Sequence, residues 1–314
     1  MRYRLTQNDV SNKINVESVD AVNAAVCRIY LGLYPTASIN LLDQVFADFK
    51  RLFGGKFPGY LACDTRFHDM RHTLDVTLAM ARLIDGYERN HIESERLGEE
   101  RALLGLIVAL LHDAGYIRKK SDTGHKNGAE FTLTHVSRSA QFMEQYLPGL
   151  GLPPDSVTVA GQIVHFTGFE IALSRIQLDD PKDRLLGFML GSADLLGQMS
   201  DRLYLEKCRD YLYPEFVLGG VARVRHDDGS EHVNYSSPED LLSKTPVFHE
   251  KVAQHRLHRE FHGVEKFAQA HFDGLDLYGE AIRLNLDHLD QILEQDDFDL
   301  LRRQSCTLSS AAAT

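Results

Sequence analysis

The segment Phe67-His68-Asp69-Met70-Arg71-His72 carries two histidines four residues apart, with Asp75 three further on. In a helix all three share one face, and Val76, Ala79 and Leu83 lie on it too. Ionisable groups aligned with an apolar stripe point inward, where they cost free energy unless paired or coordinated. One such histidine reads as a core residue bonded to a backbone carbonyl. Two histidines and a carboxylate point instead to a bound cation.

The next apolar segment, Ala102-Leu103-Leu104-Gly105-Leu106-Ile107-Val108-Ala109-Leu110-Leu111, is hydrophobic around its whole circumference and so belongs in the middle of the protein. It ends in His112-Asp113, placing a carboxylate at the negative end of a helix dipole and in a dry environment. A metal cation answers both penalties. Asp194 is a lone acid in the apolar run Arg184-Leu185-Leu186-Gly187-Phe188-Met189-Leu190-Gly191-Ser192-Ala193-Asp194-Leu195-Leu196, and the same reasoning applies. His72, His112, Asp113 and Asp194 are therefore the expected metal ligands. His135 and His165, which fall between the His-Asp pair and Asp194, extend the set; if both bind, two metals bridged by Asp113 are expected. Mixed imidazole and carboxylate ligands suit manganese, iron, nickel, zinc or magnesium, one ion or two, without choosing among them.

The order His72, His112-Asp113, Asp194 resembles the H…HD…D signature of the HD-domain superfamily of metal-dependent phosphohydrolases, whose metal site sits on a helical core. His135 and His165 match the extra histidines of its two-metal members. Phe67-His68-Asp69-Met70-Arg71-His72-Thr73-Leu74-Asp75-Val76 is also similar to the Y-H-N-x-x-H-A-x-D-V segment of cyclic-nucleotide phosphodiesterases. That similarity implies that His68 protonates the leaving group and that His72 binds metal. The resemblance spans residues 67–198. It departs from the family at Asp69, where asparagine is usual, at Tyr116, where many relatives have a substrate-binding lysine, and at Phe166, where the cyclic di-nucleotide enzymes have a second histidine.

The resemblance implies a hydrolase of small phosphomonoesters or phosphodiesters, nucleotides among them. Water activated by the metal attacks phosphorus, and His68 and Asp113 are the catalytic pair. Two alternatives use the same ligands: a di-iron oxygenase acting on a small alcohol or phosphonate, and a non-catalytic nucleotide-sensing module. Arg118 and Lys119, with Lys120, form a basic run after the His-Asp pair and are candidates, with Tyr116, for holding a substrate phosphate; a solvated charge run explains them equally well. His125 and Lys126 belong to the same expected loop. His255, His258 and His262 project from the side of their helix opposite Leu257, Phe261, Val264 and Ala268, and read as solvated. Gly54-Gly55-Lys56 lacks the rest of a phosphate-binding loop, so none is expected.

The elements that must position these residues are helical. Apolar periodicity predicts helices over 19–33, 39–52, 68–89, 99–113, 129–147, 155–166, 182–198, 201–211, 247–272 and 277–294. Pro148, Pro153, Pro154, Pro181, Pro214, Pro238 and Pro246 are expected between helices. Residues 221–226 and 231–235 flank Asp227-Asp228-Gly229-Ser230 and read either as a small β-hairpin or as an irregular loop. The fold class is all-α: N-terminal helices over 1–60, a metal-binding helical core over 61–212, and an extension of hairpin plus two helices over 213–303. The tail from Gln304 to Thr314 is expected to be disordered.

Composition narrows the partners. A net charge of -11 repels nucleic-acid backbones, so no long DNA or RNA is expected, whereas a small phosphorylated substrate can approach a bound cation. No apolar run reaches the roughly 20 residues of a membrane span, so no membrane partner is expected. Cys27, Cys63, Cys208 and Cys306 form no C-x-x-C pair, which fits a reducing cytoplasm.

Overall fold

A computed structural model of the 314-residue chain describes residues 4–225 and 228–301. The fold is all-α with one small hairpin. Twelve α-helices occur among the described residues: α1 (Val19–Leu33), α2 (Asn40–Phe53), α3 (Met70–Asn90), α4 (Glu99–Leu111), α5 (His135–Tyr146), α6 (Pro154–Ile163), α7 (Pro181–Ser200), α8 (Tyr204–Lys207), α9 (Tyr213–Leu218), α10 (Pro238–Phe248), α11 (Lys266–His271) and α12 (Leu277–Gln295). The hairpin pairs β1 (Arg223–Arg225) with β2 (Glu231–Val233) in antiparallel register, Val224 opposite His232. Of the expected hairpin, His226 and Asp227 lie outside the described residues, as do Cys306 and the tail from Gln304.

The architecture is arranged around α3. Every residue from His72 to Glu88 on that helix is buried, because α1, α4, α7 and α11 all pack against it. Its start is set by Asp69, whose carboxylate accepts a hydrogen bond from the His72 amide at 2.9 Å. The helix therefore begins at Met70, and His68 precedes it instead of sharing its face with His72. The apolar α4 is sandwiched by α2, α3, α6 and α7, as a helix hydrophobic on all sides must be. Asp180 caps α7 through the Lys182 amide, with Pro181 in the first turn where its missing N–H costs nothing.

Four expected helices are divided. The 155–166 segment gives α6 and a 3-10 turn, Val164–Phe166, and the 201–211 segment starts only at Tyr204, as α8, and passes into a π turn, Cys208–Leu212. The 129–147 segment splits into a 3-10 turn, Gly128–Phe131, and α5, with His135 at the first position of the latter. The 247–272 segment begins earlier, as α10 at Pro238, and breaks at His262 and Gly263, whose φ values are +56° and +71°. Pro246 lies inside α10, not between helices. It removes a backbone donor, and the turns that follow, His249–Ala253 and Arg256–Glu260, open to π spacing. The extension past residue 213 is consequently a hairpin and several helical pieces, of which α11 packs on α3 and α12 on α7. A single apolar core runs from Val16 to Leu301 through all of these. No helix among the described residues is long and apolar enough to cross a membrane.

Candidate metal centre

Three helices deliver the centre. His72 comes from the first turn of α3, His112 and Asp113 from the end of α4, and Asp194 from the middle of α7. Asp113 and His112 are buried almost completely and His72 nearly so. Asp113 Oδ2 lies 3.3 Å from His112 Nε2 and 3.4 Å from His72 Nε2; Asp194 Oδ1 lies 3.3 Å from His72 Nε2 and 3.9 Å from His112 Nε2. All four gaps exceed the roughly 2.7–2.9 Å of a charge-assisted hydrogen bond. Ligand atoms about 2.1 Å from a common cation, at octahedral to tetrahedral angles, stand about 3.0–3.4 Å apart. His72, His112 and Asp113 form a buried group able to hold a metal ion.

Hydrogen bonding prepares the donor atoms for that role. His112 Nδ1 lies 2.7 Å from the Ala109 carbonyl, which only accepts, so Nδ1 donates to it and Nε2 is the nitrogen turned toward Asp113. His112 Nε2 and Asp113 Oδ2 are both buried and without a hydrogen-bond partner. Two orphaned polar atoms in a dry core, facing each other, are what a cation would satisfy. Burial alone would push the Asp113 carboxyl up; His112, His68, His72 and His135 around it overcome that and bring it down to about 2.

His135 stands at the edge of the group, its Nε2 3.9 Å from Asp113 Oδ1 and its Nδ1 bonded to the Thr132 carbonyl at 2.7 Å. Gly115 permits this approach: a Cβ there would sit 1.8 Å from the His135 carbonyl oxygen and 2.8 Å from the Ser139 amide. Ser139 Oγ in turn accepts from the Gly115 amide, and Arg138 Nε donates to the Gly115 carbonyl. The Ala-Gly-Tyr that follows the His-Asp pair is thus a docking point for α5. His165 is buried, but it is not gathered into the group; Glu170, not Asp113, is the charged group that acts on its imidazole, and its Nδ1 has no hydrogen-bond partner. Burial pushes both the His135 and the His165 imidazole below the ordinary histidine value.

His68 reaches the same centre from outside α3. Its Nδ1 lies 2.7 Å from Glu215 Oε2, and the other oxygen of Glu215 accepts from the Arg66 and Phe67 amides at 2.6 Å each. Burial pushes the His68 imidazole down, but Glu215 beside it overrides this and raises it to about 9. Tyr116 is stacked between two imidazoles, its ring 4.5 Å from that of His68 and 4.3 Å from that of His135. The ring is thus an aromatic spacer between the two histidines.

A cavity of about 420 Å³ opens against the centre. His68, Asp113, Tyr116, His135, Asp194 and Gln198 form one part of its wall; α8 to α10 and the hairpin region supply Tyr204, Leu212, Phe216, Tyr235, Leu241 and Phe248. Arg118 and Lys119 are not on this wall. Arg118 donates to Asp64 from Nε and Nη2 and to the His125 carbonyl from Nη1, and Lys119 is exposed. The cations that do line it are Lys244 and the buried Arg256. His255 and His258 are more than half exposed, and His262 is exposed as well.

Glu215 and Arg256 were not signalled by the sequence reading, although each leaves a trace there. Glu215 is a lone acid among Tyr213, Phe216 and Val217, the same kind of anomaly that marks Asp194. Arg256 adjoins the apolar stripe residue Leu257. No family model, no curated protein and no solved structure matches this chain.

Proposed function

We propose that this protein is a metal-dependent hydrolase of small phosphate esters, in the manner of the HD-domain superfamily that its His72, His112-Asp113, Asp194 order resembles. The observation that carries the reading is the pairing of an unsatisfied His/Asp cluster with His68, an imidazole held protonated by Glu215 on the same cavity wall. His72, His112, Asp113 and Asp194 would hold a divalent cation, with His135 at its edge. Such a cation supplies Lewis-acid polarisation of a phosphoryl oxygen and acidifies water.

The chain's own residues then account for the remainder of the reaction. Water adds to phosphorus as the P–O ester bond breaks, and the departing alkoxide needs a proton. With Nδ1 engaged by Glu215, the His68 imidazolium has Nε2–H to give, a contribution of roughly 10²–10⁴-fold in rate. The proton acquired from the attacking water restores the balance, leaving an alcohol and a phosphate. Tyr116 keeps the donor ring in place, and the apolar wall excludes bulk water from the leaving group.

The test is a panel of phosphomonoesters and phosphodiesters assayed with manganese, iron, nickel, zinc and magnesium. Turnover is expected with at least one ion, lost on chelation and lost in Asp113→Asn. Turnover undiminished in metal-stripped protein would overturn the proposal.

A further inference from the structure

The cavity beside the metal centre is chemically lopsided, and that asymmetry speaks to the substrate. Away from the His/Asp cluster its wall is built from aromatic and aliphatic side chains of α8, α9, α10 and the segment after β2. Tyr204, Cys208 and Leu241 on it are buried, and Phe216 stacks on Tyr235 at 5.7 Å. Several polar side chains interspersed there already spend their donors internally. Thr132, Thr167 and Thr245 hydroxyls donate to the Ala129, Val164 and Leu241 carbonyls, and Lys244 Nζ donates to the Asn234 carbonyl and to Asp240. Glu170 accepts from the Val136 and Ser137 amides and the Ser137 hydroxyl. These engaged groups have no spare donor for the edge of a nucleobase or the hydroxyls of a sugar, and polar substrate groups placed against them would lose hydration without replacement.

The apolar lining continues outward. Leu133 and Phe169 belong to the same cavity and are 62% and 69% exposed, so apolar surface extends to its rim. On the centre's side, by contrast, lies one buried cation. Arg256 is 5% exposed, its Nη2 donates to the Phe166 carbonyl, and its Nε has no hydrogen-bond partner. Its facing carboxylates are Glu260, at 3.4 Å from Nε, and Asp194, which acts on it electrostatically. Gln198 lies one turn beyond Asp194 on the same helix and also faces the cavity. An anionic head is therefore accommodated next to the cluster and an apolar body along the remaining wall.

Building on the hydrolase reading above, we infer that the substrate is a phosphate ester of a large apolar alcohol, its alkyl or aryl group seated among Tyr204, Phe216, Tyr235, Leu241 and Phe248 and its phosphoryl group beside Arg256. A cavity of about 420 Å³ has room for a chain of eight or more carbons in addition to the phosphoryl group.

Methyl, butyl and octyl phosphate, with the matching alkyl methyl phosphodiesters and adenosine monophosphate, form a decisive series, because the simple alkyl leaving groups differ little in basicity. With the full-length, metal-loaded protein, kcat/KM is expected to rise at least tenfold from methyl to octyl, and octyl is expected to exceed the nucleotide. Binding is read separately by calorimetry with methyl- and octylphosphonate, which cannot be hydrolysed. Octylphosphonate should bind at least tenfold more tightly, Leu241→Ser should erase most of that advantage, and Arg256→Gln should weaken both ligands alike. Equal affinity for the two phosphonates, or a preference for the nucleotide, would overturn the inference even if Leu241→Ser failed to fold, since both comparisons use the unaltered protein. Absence of turnover on every ester would instead strike the hydrolase reading, while the phosphonate comparison would still judge the apolar chamber.

Discussion

His68 Nδ1 and Glu215 Oε2 are 2.7 Å apart although 147 positions separate them in the chain. Because the other Glu215 oxygen takes up the Arg66 and Phe67 amides, this one carboxylate both orients the imidazole and keeps it charged. The relation joins α9 to the segment that opens α3, and through it the C-terminal third of the protein acts on the metal centre.

Glu215→Gln keeps the shape but withdraws the negative charge. The His68 imidazole, now raised to about 9, should titrate at lower pH in the variant. If His68 is the acid, the alkaline limb of kcat should move toward neutrality and turnover at pH 8 should fall by roughly 10²-fold or less. The sign also holds for stability: this charge stabilises the fold fully below pH 6.5, the ordinary imidazole value, and the contribution is lost as pH rises through about 9. A pH–rate profile identical to that of the unaltered protein would remove His68 from the acid role.

Metal binding should be visible without any substrate. A cation at 100 times its dissociation constant stabilises the folded state by about 2.7 kcal/mol, so chelation is expected to lower the thermal midpoint of the unaltered protein. Asp113→Asn should be insensitive to chelator while keeping its helical circular dichroism. Equal chelator shifts in the two proteins would place the cation elsewhere.

Gly115→Ala tests how His135 reaches the centre. Its Cβ would meet the His135 carbonyl oxygen at 1.8 Å, a backbone contact that only movement of α5 relieves. A loss of about 2–4 kcal/mol in denaturant stability is expected, within the range for overpacked sites, together with weaker metal affinity. Stability within about 0.5 kcal/mol of the unaltered protein would show that this packing is looser than described.

Asp75 is buried on α3, and burial, with Asp201 nearby, pushes its carboxyl up to about 6 from 3.8. The folded state thus holds this proton longer than the unfolded chain does. Stability should fall as pH rises from about 4 to 6, with the full penalty present above that window. Asp75→Asn removes the penalty and is expected to stabilise the protein at pH 8 by roughly 2–3 kcal/mol, from about 1.4 kcal/mol per pH unit. Denaturant titrations at pH 4 and pH 8 check both the sign and its disappearance at the lower pH.

Much of the centre was legible in residue types and their order. Carboxylates and imidazoles set into apolar helical runs announce themselves, because burying them uncompensated is costly whatever the fold; that reasoning marked His72, His112, Asp113 and Asp194, which the packing of α3, α4 and α7 does bring together. The helical class and the positions of α1, α3, α4, α7 and α12 followed from apolar spacing for the same reason. What spacing does not contain is which distant segments meet. Glu215 beside His68, Tyr116 between two histidines, Arg118 drawn away to Asp64 and Arg256 brought to the cavity are all consequences of how separate helices pack, as is the exclusion of His165. Local periodicity states how far a side chain is turned toward the core; its partner there is set by contacts between segments that lie from tens to well over a hundred residues apart.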